Sequence, residues 1–148
     1  MQKHSLSEMP CPVARSLDIV GEWWTLLIVR DAIRGARRFE DFRALGAADN
    51  ILSVRLKKLV DEGIFEKRLY STHPERYEYL LTEKGQDLRV VLAAIATWGT
   101  RWTKGKDKTR LSHGASGHSV SVQAFCDDCG RALSPDEVTM ARLPVGAA

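Results

Sequence analysis

Three groups of residues in this chain carry chemistry by their type and spacing. The first is a cysteine directly before a proline, Cys11-Pro12. Proline at the first helical position needs no amide donor and already holds the helical φ, so the pair reads as a helix start. A thiol there meets the positive end of the helix dipole, which favours the thiolate and makes the sulfur reactive. An inert small cap is the plainer reading of the same residue. The second group is CDDCG, with Cys126 and Cys129, preceded by His113 and His118. A CxxC knuckle is half of a tetrahedral zinc site, and the two histidines could complete it as a structural metal centre. The alternative, adopted as the expectation, is a metal-free hairpin with two reduced thiols and no required cofactor. The third group is polar and basic: Asn50, Ser53, Arg55, Lys57 and Lys58 within NILSVRLKKLVDEGIFEKRLY. Short polar side chains read base edges and cations meet phosphates, which is the chemistry of nucleic-acid binding. His73 and Ser53 have no acid partner placed for acyl transfer, so no enzyme is expected.

These side chains need elements to hold them. Leu52, Leu56, Leu59 and Val60 recur at i, i+4, i+7 and i+8, a helical stripe that leaves Asn50, Ser53, Lys57 and Lys58 facing outward. Asp49 or Asn50 is the expected cap, and Gly63 the stop. Upstream, Val13, Leu17 and Val20 mark a first helix, and Trp24, Leu27, Ile28 and Ala32 the inward side of a second. Phe39, Phe42 and Leu45 form a short third helix stopped by Gly46. Residues 64–70 and 76–82 read as paired strands around a turn at 71–75, to which Pro74 belongs because it cannot donate to a ladder. Thr82 can cap a last helix of roughly 20 residues, about 30 Å long. Its apolar positions Leu88, Val91, Leu92, Ile95, Trp98 and Trp102 outrun a domain this small. A second copy of the chain across a two-fold axis is the expected cover, with the first helix folding back as the alternative. Trp23, Trp24, Trp98 and Trp102 read as core or dimer interface, or as walls of a pocket for an aromatic effector. From Lys104, KGKDKTRLSHGASGHS reads as a linker to a small Cys/His hairpin.

Composition narrows the class. A chain of 148 residues, 44% hydrophobic and 28% charged, suits one soluble globular core with a small appendage. The N-terminus lacks a secretory pattern and the longest apolar patch, residues 23–29, is too short for a bilayer, so a cytoplasmic protein without membrane partners is expected. Three cysteines in that compartment are thiols or ligands rather than a disulfide framework. The net charge of +3 is a weak pointer to polyanions, but its basic pairs, Arg37-Arg38, Lys57-Lys58 and Lys67-Arg68, matter if they share a face.

Helix, turn, helix, then a two-stranded hairpin is the layout of a winged helix-turn-helix, a mainly α fold with a small β-hairpin wing (α+β). In that fold a helix enters the DNA major groove while the hairpin reaches the neighbouring backbone. Arg68, His73 and Arg76 would serve the wing, and Arg38, Arg55, Lys57 and Lys58 the phosphates. A winged helix that docks protein is the alternative, and a thiol or zinc protein built around the CxxC tail is a further one.

Three segments, CPVARSLDIVGEWWTLLIVRDAIRGARRFEDFRAL, NILSVRLKKLVDEGIFEKR and RYEYLLTEKGQDL, jointly resemble the HxlR-type bacterial transcriptional regulators, relatives of the MarR group. The resemblance covers about residues 10–103, leaving 104–148 as linker and tail. It implies dimerisation helices at both ends of the domain and a homodimer on a pseudo-palindromic double-stranded operator. It also implies control of nearby genes, with repression the expected outcome, in answer to a small molecule or redox stress. By position it puts Asn50, Ser53 and Lys57 on the recognition helix, Arg38 on the helix before it and Arg76 after the wing turn. It makes Cys11 the redox- or electrophile-sensing position of some members. The chain departs from the pattern at Ala48-Asp49, where members carry a hydroxyl and then a polar or basic residue. Losing that cap costs on the order of 1 kcal/mol unless Asp49 caps instead. An acid facing phosphates would weaken binding or select cytosine. Ser116 stands where similar tails often hold a cysteine.

Overall fold

The computed structural model describes residues 5–105 and 111–141. Among them run helices α1 (Pro12–Val20), α2 (Trp23–Ile33), α3 (Phe39–Phe42, continued by a 3-10 turn over Arg43–Leu45) and α4 (Asp49–Asp61). Strands β1 (Phe65–Thr72) and β2 (Glu75–Leu81), helix α5 (Glu83–Trp102) and strands β3 (Ala124–Cys126) and β4 (Arg131–Leu133) follow. The chain divides into two compact units, Met1–Leu92 and Ala93–Ala148, with α5 beginning in the first and ending in the second. Lys106, Lys108 and Arg110 of the basic linker lie outside the described residues.

The core of the first unit forms where the helical period of α4 meets the start of the wing. Leu52, Leu56 and Leu59 are buried with Ile28 and Val29 of α2, Phe42 of α3, Ile64 and Phe65. The rings of Phe42, Phe65 and Tyr79 stand 6.3–6.4 Å apart, tilted or edge-on, as aromatic quadrupoles prefer. Burial of side chains this large contributes about 1.5–3 kcal/mol each. On α2 the buried set is Thr25, Ile28 and Val29, with Trp24 and Ala32 packed beside it rather than within it. Gly63, at φ 68°, makes the left-handed turn from α4 into β1 that a Cβ would strain. Thr82 caps α5 as its position predicts. Its hydroxyl accepts from the Gly85 N–H (3.2 Å) and donates to the Gly63 carbonyl (2.6 Å).

Three boundaries differ from the sequence expectation. The wing strands are longer, with Ser71, Thr72 and Glu75 paired in the ladder, so the turn is His73-Pro74 alone. Packing across the hairpin extends pairing through polar residues that propensity assigns to a loop. A bulge at Tyr70 shifts the register between Leu69 and Ser71. At α4 the N-cap is Ala48, in extended conformation and without a side-chain bond, so neither Asp49 nor Asn50 caps. The third correction concerns residues 111–120, which are a closed loop rather than an open linker. Val120 N–H bonds the Leu111 carbonyl (3.0 Å) and His113 N–H the His118 carbonyl (2.9 Å).

Candidate nucleic-acid interface

The site begins at a turn. Gly46, at φ 80°, reverses the chain between α3 with its 3-10 extension and α4, giving the helix-turn-helix. Arg43 spans the turn to Asp49 in a two-pronged ion pair (Nη2–Oδ2 2.6 Å, Nε–Oδ1 2.9 Å). The guanidinium bond holds the Asp49 carboxyl below its ordinary pKa and offsets its charge at the start of α4. Before α3, the Asp41 carboxylate accepts the backbone N–H groups of Arg37 and Arg38 (2.9 Å each), which lowers its pKa and fixes the strand-like approach. That approach joins the wing: Tyr79 N–H bonds the Arg37 carbonyl (2.7 Å) and Arg38 bridges Glu78.

On α4, Asn50, Ser53, Val54 and Lys57 are exposed at i, i+3, i+4 and i+7. Lys57 pairs with Asp61 (2.6 Å) on open surface, where such pairs are worth little and yield readily to a phosphate. Arg55 and Lys58 are placed otherwise than the sequence suggests. Arg55 Nη2 meets Glu22 Oε2 (3.1 Å) in a partly buried pair, and Lys58 Nζ donates to the Asp18 carbonyl. Both side chains tie α4 to the first two helices instead of facing out.

The wing shows the same sorting. Arg68 is held across the hairpin by Glu78 (Nε–Oε1 2.8 Å). His73 sits at the tip, its Nδ1 3.1 Å from Thr72 Oγ1. Arg76 is exposed and has no ion pair among the described residues. The Lys67 ammonium lies 3.9 Å from the centre of the Tyr77 ring and the Arg38 guanidinium 4.4 Å from that of Tyr70. These stacks seat the charged groups themselves against aromatic faces, which attract a cation without cancelling its charge. In the sequence Arg37 and Lys67 stand out only as members of basic pairs, and Val54 carries no charge to mark it. An apolar residue one turn after Asn50 was the signal available for Val54, which is 59% exposed.

The remaining candidates separate clearly. Leu88 and Leu92 of α5 pack against the chain's own core and leave the proposed intersubunit face. Val91, Ile95, Trp98 and Trp102 are exposed, the two tryptophans at 63%. Cys11 is exposed at the N-cap of α1. His113, His118, Cys126 and Cys129 do not converge, because no three His, Cys, Asp or Glu side chains group for a metal among the described residues. His113 instead shares a hydrogen bond with Ser116 (2.8 Å). Trp23 is 88% exposed, whereas Trp24 packs on the core. No helix among the described residues is long and apolar enough to cross a membrane.

Comparison with known proteins agrees with this geometry. The pattern of the HxlR-like helix-turn-helix family matches residues 19–107. An uncharacterised HTH-type transcriptional regulator of Mycobacterium tuberculosis is 39% identical over 130 residues, spanning 86% of this chain and 82% of that protein. Among solved structures, the candidate transcription factor PA1607 superposes with a TM-score of 0.81 at 38% identity, covering 94% of this chain and 99% of that one. The redox regulator HypR in its reduced form superposes at 0.57 with 31% identity, covering 60% and 90%. The chain belongs to the HxlR-like helix-turn-helix family, transcriptional regulators with a winged DNA-binding fold and not enzymes.

Proposed function

We propose that the protein acts as a homodimeric repressor whose two α4 helices enter successive major grooves of a pseudo-palindromic operator. The observation that carries this reading is the outward row Asn50, Ser53, Val54 and Lys57, together with the exposed cations Arg37, Arg38, Lys67 and Arg76. Asn50 suits adenine, whose edge offers a donor and an acceptor to an amide, and Val54 suits a thymine methyl. The cations and the His73 tip meet phosphate or minor groove without reading sequence. Two subunits join through Val91, Ile95, Trp98 and Trp102, an exposed stripe too apolar to stay in water unpaired. Half-sites then lie about 34 Å apart, one helical turn of DNA. Binding across a promoter blocks transcription. The signal enters at Cys11, an exposed thiol at a helix N-terminus, as the likeness to a redox regulator supports.

Base-by-base substitution of the operator tests the reading face. Asn50→Ala should relax preference at one base position, by about 1–3 kcal/mol of discrimination. Arg76→Ala should weaken every sequence alike. A uniform loss for Asn50→Ala would place the reading face elsewhere.

A further inference from the structure

DNA binding makes no use of the CxxC knuckle. β3 ends at Cys126 and β4 starts at Arg131, so the loop between them holds both sulfurs on one tight turn. Gly130, at φ 64°, supplies the left-handed step, and its N–H bonds the Cys126 carbonyl (2.9 Å). Cys129 N–H donates to Cys126 Sγ at 3.4 Å. This donor, with the Asp128 N–H, favours the Cys126 thiolate and lowers its pKa. Cys126 is partly exposed and Cys129 exposed, so a small molecule can reach both. Two sulfurs fill only half of a tetrahedral metal sphere, and among the described residues no third His, Cys, Asp or Glu joins them. The nearby cation is committed elsewhere, since Arg131 is bonded twice to Glu137.

We propose that Cys126 and Cys129 form a reversible dithiol–disulfide pair, oxidised by small organic disulfides and independent of Cys11. The Cys126 thiolate attacks one sulfur of the disulfide, forming a mixed disulfide and expelling one thiolate. Cys129, deprotonated in turn, attacks Cys126 Sγ and expels the second. The pair loses two electrons and two protons, and one disulfide becomes two thiols. Cys126 is the attacking sulfur and Cys129 the resolving one.

The test uses the full-length Cys11→Ser protein treated with uncharged bis(2-hydroxyethyl) disulfide, quenched in acid, alkylated and read by peptide mass. The peptide holding both cysteines should lose two hydrogens, and dithiothreitol should restore it. With Cys129→Ser added, Cys126 should keep one mercaptoethanol group, acquired several-fold faster than Cys129 acquires one when Cys126→Ser is added instead. Three results would overturn the proposal: both thiols alkylated as if untreated, a mixed disulfide that persists when both cysteines are present, or one zinc per chain held by the pair as purified.

Discussion

Lys57 and Lys58 are neighbours in the chain, yet one is exposed beside Asp61 and the other reaches back to the Asp18 carbonyl. A 100° step around the helix separates them, and only the packing of α1 decides which side of that step is outside. Arg55 is a similar case, because its partner Glu22 lies 33 positions away. The sequence therefore shows that α4 is basic but not which cations are spent inside the chain. Glu137 gives a residue-scale prediction with a definite sign. The Arg131 guanidinium and the Ser134 N–H and hydroxyl hold its pKa at about 2, against an ordinary 4.5. The folded value is the lower, so the contribution to the hairpin is fully present above about pH 4.5 and lost as pH falls through about 2. Arg131→Ala should move the Glu137 midpoint up towards 4.5 in a carboxyl NMR titration; an unmoved midpoint would remove Arg131 as the cause. Cys11→Ser should abolish diamide-induced release from DNA and leave the affinity of the reduced protein unchanged. Release that persists would end its role as sensor.

At the scale of elements, periodicity did its work wherever one face is buried. Leu52, Leu56 and Leu59 announce the inner side of α4, and Thr82 announces the start of α5. Faces that border each other share one apolar stripe. Leu88 and Leu92 turn to the core while Val91 and Ile95, each three positions further on, stay exposed, because a helix stripe over 100° wide serves two surfaces at once. Residues 111–120 have the Gly and Ser composition of a flexible linker, whereas their backbone bonds close a loop that no periodicity reports. The uncapped start of α4 is the element most open to improvement. Ala48 already has the extended cap conformation (φ −63°, ψ 146°), and it lacks only an oxygen. Ala48→Ser should raise stability in urea by about 0.5–1 kcal/mol. No gain would mean that the Arg43–Asp49 pair already fixes the turn.

For the whole molecule, the order of elements was the most legible feature, since helix, turn, helix and wing follow one another without interruption. A single chain leaves the tryptophans of α5 exposed, and they are the surface that the proposed dimer would bury. Phosphate contacts displace condensed counterions, so the number made by a dimer can be counted from salt alone. About three contacts per subunit correspond to a slope of about −5 in log K against log salt. The most direct measurement is a salt titration of the protein on a duplex spanning the DNA upstream of its own gene, with the stoichiometry taken from sedimentation of the complex. The account predicts two chains per site and a linear fall with a slope of about −5. A single chain per site, or no salt-sensitive binding at low ionic strength, would contradict it.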